Sequence, residues 1–181
     1  SIFTIFVTAI IIYTLVSESM IFSGHVPVTD FLFGTVWTPL FEPQRFGIIP
    51  LVVGTMSIAL YSMLVAIPLG LGSAVYLSEY ANRKVRAVIK PILEVLAGIP
   101  SIVYGYFALN YITPVLQKLN PSTEIYNTLS ASIAVGIMIL PLVASLSEDA
   151  MNAVPNAMRN GAYALGATKL EVARNIVIPA A

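Results

Sequence analysis

Phe46 to Ser78 runs for 33 residues without a single charged side chain. A stretch of that length and character has few folds open to it. A bilayer core needs roughly 20 apolar residues in a helix, so the segment exceeds one crossing and implies tilt or an interfacial start. Three further uncharged runs flank it: Ile2 to Val16, Val95 to Gln117 and Ile125 to Ser147. Charged residues make up only 10% of the chain, against about 25% in an ordinary soluble domain, and they cluster between these runs. An all-α, polytopic membrane helical bundle with four spans follows. Its first helix is expected over residues 1–17, and the others over 48–78, 92–117 and 125–147.

The charges between the spans set the orientation. Arg83, Lys84, Arg86 and Lys90 lie between the second and third spans, and Arg159, Lys169 and Arg174 follow the fourth. Seven of the nine basic residues therefore share one side if all four spans cross. By the positive-inside rule that side is the cytoplasm. Residues 79–94 and 148–181 are expected inside, and 17–47 and 118–124 outside. The long outer loop, 18–45, carries Phe31, Phe33, Trp37 and Phe41 among prolines and glycines. An aromatic segment at the membrane interface is one reading of it, and a docking surface for an external protein is the other.

Composition removes several functions. Net charge is zero, which gives no basic footprint for nucleic acid. There is no cysteine and one histidine, His25, so thiolate or zinc chemistry inside the spans has no material. An intramembrane enzyme is thereby disfavoured, and no phosphate-binding GxxxxGK[ST] loop is present. Pro68, Gly70 and Gly72 predict a kink or a close helix contact. Gly98 and Pro100 interrupt a helix near its expected cytoplasmic end, beside Ser101 and Tyr104. Those two hydroxyls are candidates for lining a translocation path, with ordinary interhelical hydrogen bonding as the alternative. Lys90 and Glu94, four residues apart, suggest an ion pair at the loop edge.

The last third of the chain, Arg159 to Pro179, is the polar exception. Pro155 suits the first turn of a short helix ending at Leu165. Gly166 stands where a left-handed cap is expected. Thr168 and Glu171 have capping-box spacing and open a second helix through Ile178. Ala162, Leu165, Ile176 and Val177 are expected to supply apolar contacts, and Arg159, Lys169, Glu171 and Arg174 a polar face. Such a helix–glycine–helix knob can sit in a partner's groove. The alternative is a helix lying on the membrane surface, in a protein of structural role.

Asn160, Gly161 and Ala162 are followed after three residues by Gly166, nine residues later by Ile176, and then by Ile178-Pro179. This resembles the EAA loop of ABC importer permeases, with Asn160 in place of the glutamate and Ile178 in place of the leucine. The stretches FGIIPLVVGT (46–55), VAIPLGLGSAVYLSEYA (65–81), KPILEVLAGIPSIVYGYFAL (90–109) and GAYALGATKLEVARNIVIPAA (161–181) resemble the phosphate-specific ABC permease, PstC type. The resemblance implies a MetI-like type I importer fold, with residues 46–181 as its core and four of an expected six spans present. The chain is expected to be cut at both ends, with the family's functional arginine and glutamate lying past Ala181.

The resemblance further implies a multi-pass permease of the plasma (inner) membrane that imports inorganic phosphate and is not itself an enzyme. A permease for another oxyanion, such as phosphonate or sulfate, is the alternative. Implied partners are a second permease of the PstA type, a cytoplasmic ATPase dimer and an extracytoplasmic phosphate-binding protein. ATP and magnesium would be bound by the ATPase, with no cofactor on this chain. The expected coupling segment is 155–178, with Asn160, Gly161, Ala162, Gly166, Thr168, Lys169, Glu171 and Arg174 as coupling residues. Pro100, Ser101 and Tyr104 are the expected path residues.

Overall fold

The computed structural model describes residues 2–181, which divide into two compact units, one up to Met56 and one from Ser57 to Ala181. In the first unit, α1 (Ile2–His25) is apolar on every face and exposed, as a helix surrounded by lipid should be. Several of its hydroxyls are satisfied within the helix. Thr8, Thr14 and Ser19 each donate to the carbonyl four residues back, at 2.7–2.9 Å. The helix continues past residue 17, so 18–25 are not loop as expected. Glu18 and Ser19 do not break a helix, and no glycine or proline intervenes before Gly24. Beyond it come α2 (Val28–Phe33) and a hairpin of β1 (Trp37–Thr38) and β2 (Arg45–Phe46), which pairs Trp37 with Phe46. Phe22 meets the rings of Phe31 and Phe46 edge-on, each at 5.5 Å, and Trp37 meets Phe46 at 6.1 Å. Phe31 and Trp37 thus join a cluster with Phe22 and Phe46, while Phe33 and Phe41 stay exposed.

The second unit begins within α3 (Ile49–Val75), which ends in a π-helical turn, Tyr76–Tyr80. It continues with α4 (Arg83–Ala97), α5 (Ser101–Phe107), a second π turn (Ala108–Ile112) and α6 (Thr113–Leu119). Then come α7 (Thr128–Ala153), α8 (Asn156–Ala164), α9 (Lys169–Val172), a third π turn (Ala173–Val177) and α10 (Ile178–Ala180). Among the described residues, three helices are long and apolar enough to cross a membrane: α1, α3 with its π turn, and α7. A fourth crossing requires counting α4 and the run Ser101–Leu119 as one broken span.

The span expected over 92–117 is therefore not one helix. Its two parts meet at 89°. Pro100 has no N–H to continue the α4 ladder, and Gly98 closes α4 by donating to the Glu94 and Val95 carbonyls at 3.2 and 3.1 Å. Tyr104 reaches back over the break and donates its hydroxyl to the Leu96 carbonyl at 2.9 Å, which occupies one of the acceptors that a helix end leaves free. Residues 92–97 belong to α4, whose Ile89 and Leu93 pack inward.

α3 buries Ser62, Ala66, Gly70 and Ala74, each four residues from the last. A stripe of small side chains lets backbones approach closely, which is how helices gain contact where lipid is as apolar as leucine. A Cβ on Gly70 would come within 2.7 Å of Val143 Cγ1 on α7. Buried hydroxyls also bond from α3 and α6 to α7. Ser62 donates to the Ser132 carbonyl at 2.9 Å, and Thr113 donates to Ser130 Oγ at 2.8 Å. The close contact expected from Pro68, Gly70 and Gly72 falls on Gly70 alone, since Gly72 faces open space.

Overpacking a tight helix contact costs about 1–3 kcal/mol. Gly70→Leu in the full-length protein is expected to lower the midpoint of thermal unfolding in detergent, and Gly72→Leu to leave it unchanged. Equal midpoints for the two variants would contradict the assignment of the close contact.

Candidate functional site

The helix–glycine–helix segment is built by two successive caps. Pro155 is the residue before α8, one position earlier than the first-turn placement expected, and Leu165 is the residue after it. Gly166 has φ +85°, the left-handed conformation that side chains disfavour. It lets Ala167 donate to the Ala162 carbonyl at 3.1 Å and Gly166 to the Tyr163 carbonyl at 2.9 Å, which are the two bonds of a Schellman cap. Thr168 starts α9 directly. The Thr168 N–H donates to Glu171 Oε2 at 2.7 Å, and the Glu171 N–H donates to Thr168 Oγ1 at 3.4 Å. This is the reciprocal box that the spacing predicted. The bond from the Thr168 backbone, followed by that from its hydroxyl, holds the Glu171 carboxyl below the usual carboxylate range.

An apolar floor anchors the segment. Val172 and Val177 are fully buried with Ala74 of α3 and with Met151 and Val154 at the end of α7, and Ala162 and Ala167 pack on that cluster. Ala162 is thus the coupling candidate that turns inward. Asn160, Gly161, Gly166, Thr168, Lys169, Glu171 and Arg174 all lie on the exposed side. Lys169 places its ammonium 5.9 Å from the centre of the Tyr80 ring. Leu165 does not supply the packing contact expected of it. It is 90% exposed, and Leu170 in α9 is 65% exposed. The knob presents apolar side chains to its surroundings.

Two charge clusters were not legible in the local sequence. Arg159, expected on the polar outer face, turns inward and donates through Nε and Nη2 to Glu79 Oε1 at 3.1 and 3.0 Å. Glu148 of α7 is fully buried against Arg86, with Lys90 at 3.6 Å, and Lys90 reaches Asp149 at 2.6 Å. The expected Lys90–Glu94 pair does not form. A buried carboxylate without a cation costs far more than an exposed i,i+4 pair gains, so the α4 cations serve α7. The available signal was the four-residue spacing of Arg86 and Lys90 opposite an acidic pair at the end of a span.

Of the expected path residues, Ser101 and Tyr104 line a groove of about 700 Å³ between α5 and α7, with Tyr106, Tyr126, Asn127 and Ser130. Pro100 is the residue before α5 and is not among those lining it. Among the described residues no group of three or more His, Asp or Glu side chains is placed to hold a metal ion.

The profile of the family described as "Binding-protein-dependent transport system inner membrane component" matches residues 66–181. The chain is 35% identical over 164 residues to the probable ABC transporter permease protein YqgH of Bacillus subtilis, covering 91% of this chain and 53% of that protein. It is 34% identical over 196 residues to the phosphate transport system permease protein PstC of Xylella fastidiosa, covering 94% and 60%. Against the PstC protein of Mesorhizobium japonicum it is 33% identical, covering 83% and 51%. The chain thus spans between half and two thirds of the length of these relatives. Among solved structures, a chain of the inward-facing MetNI methionine ABC transporter superposes with a TM-score of 0.55 at 19% identity, covering 77% of this chain and 65% of that one. At that identity the match speaks for the fold, a MetI-like permease bundle.

Two outcomes test the double cap. Thr168→Ala is expected to cost about 1 kcal/mol of local helix stability, read as faster amide exchange over residues 169–173. Glu171 is held below its ordinary 4.5, so its contribution is complete above that pH and is lost as pH falls through the lower folded value. Exchange protection of α9, corrected for intrinsic rates, should hold from neutral pH down to about 5 and fall only below 4.5. A loss of protection between pH 7 and 5 would contradict the assignment.

Proposed function

The chain belongs to the binding-protein-dependent transport system inner membrane component family, a family of membrane transport components and not of enzymes, and on that premise we propose that it is the permease subunit of an ATP-driven phosphate importer. The observation that carries the coupling role is the knob itself. It is capped on both sides of Gly166, seated on the ends of α3 and α7, and topped by exposed Leu165 and Leu170. A rigid projection with an apolar tip suits the groove of a soluble partner. That partner is a cytoplasmic ATPase, which binds the ATP and magnesium this chain lacks the loop to hold. Exposed Asn160, Lys169 and Arg174 surround the tip and supply polar contacts at its rim.

In this reading residues 79–94 and 148–181 face the cytoplasm, where the positive-inside rule puts them. A second related permease completes the translocation path, and an external phosphate-binding protein delivers the anion. The phosphate assignment is supported by the PstC relatives and by the IPSIVYG stretch around Ser101 and Tyr104. No arginine or lysine lies within the apolar runs. The donors for an oxyanion therefore come from elsewhere in the assembly or from helix N-termini.

Crosslinking in native membranes tests both parts. A cysteine at Lys169 in the full-length subunit, co-expressed with the ATPase, is expected to crosslink to it, and the cells to take up phosphate. A crosslink with sulfate or phosphonate uptake instead would keep the importer and change the anion. No crosslink would return the segment to the membrane surface. Gly166→Val forces a β-branched residue into the left-handed region, at roughly 1–2 kcal/mol. It should weaken ATPase docking and uptake while the spans stay folded, and normal uptake would sink the knob model.

A further inference from the structure

Arg159 makes more bonds than any other side chain of the knob, and none of them is on the exposed face. Nη2 donates to the Met151 carbonyl at 2.7 Å and Nη1 donates to the Val154 carbonyl, both at the end of α7. Nε and Nη2 donate to Glu79 in the π turn that ends α3. The last carbonyls of a helix have no intrahelical donor, and the negative end of its dipole favours a cation there. One planar guanidinium thereby joins α8 to the ends of α3 and α7. A lysine has three N–H donors but carries them on one point-like nitrogen, without the planar fork that here spreads Nε, Nη1 and Nη2 over these acceptors. Both partners are well shielded, the Arg159 side chain at 13% exposure and that of Glu79 at 6%.

This bond set matters because α8 has little else. α8 has no buried residue, and Ala162 is only partly buried on the apolar floor. By contrast, α9 and the turn after it are held by fully buried Val172 and Val177. Without Arg159, α8 can rock against the span ends while the rest of the knob stays seated. We propose that Arg159 is a positioning residue, which makes α8 and the ends of α3 and α7 move as one body when the ATPase displaces the knob. Its consequence is that ATP use and transport come apart when it is lost. The inference rests on the coupling reading above.

The test uses the complete transporter in proteoliposomes, with Arg159→Gln, Arg159→Lys and the double variant Glu79→Gln/Arg159→Gln. The double variant leaves no unpaired buried charge, so it guards against simple misfolding. Three quantities are read: crosslinking of a cysteine at Lys169 to the ATPase, ATP hydrolysis, and uptake of radiolabelled inorganic phosphate. Crosslinking and hydrolysis are expected to persist in all three. Phosphate moved per ATP should fall about tenfold in both glutamine variants and recover in part with lysine. An unchanged ratio in an assembled double variant overturns the proposal. So does a loss of crosslinking in step with uptake across all three variants, which would assign Arg159 to folding alone. A wild-type complex that shows no crosslink overturns instead the coupling reading on which the proposal stands.

Discussion

Glu148 is a carboxylate with no solvent around it, near the end of an otherwise apolar helix, and much of the second unit follows from neutralising it. The cations that approach it are Arg86 and Lys90 on α4, and they reach it only if α4 lies across the end of α7. That placement goes with the break at Gly98 and Pro100, where α4 turns by 89° from the run Ser101–Leu119. Once α4 is placed, Leu93 and Ile89 pack against Leu77 and Ala144, while Val88, Ile92 and Val95 stay exposed. Breaking such a buried pair from one side leaves a bare charge, so the arrangement is tightly held even if its net stabilisation is modest.

The same demand recurs along the spans in milder form. A bilayer offers no water to a backbone carbonyl or a hydroxyl, so each must find its partner within the chain. Ser62, Thr113 and Ser130 find theirs on neighbouring helices, and Tyr104 finds the carbonyl freed at the Leu96 end of α4. Small residues at four-residue intervals on α3 bring its backbone near enough to α7 for the Ser62 bond. Polar satisfaction and close packing are therefore one design. This fits the family, in which a permease must hold its helices together without a hydrophobic driving force between them.

The knob combines rigidity with exposure. Its two caps are local and join residues close in sequence. Its seat is tertiary: Val172 and Val177 descend onto Ala74, Met151 and Val154. The tip is exposed and apolar, and its seat is formed by the ends of α3 and α7.

What was legible in the sequence is what depends on neighbours along the chain. Charge-free length marked α1, α3 and α7, because hydropathy acts residue by residue. Gly166, Thr168 and Glu171 disclosed the turn and the capping box, because those bonds span only a few positions. The break at Gly98-Pro100 was visible too, though not its angle. The fates of Glu148, Glu79 and Arg159 were not visible, nor was the outward turn of Leu165. Lys90 had an acidic neighbour four residues away and chose others 58 and 59 residues distant. Only the packed structure decides such choices, since the cost of an unpaired buried charge depends on what surrounds it and not on its position in the chain.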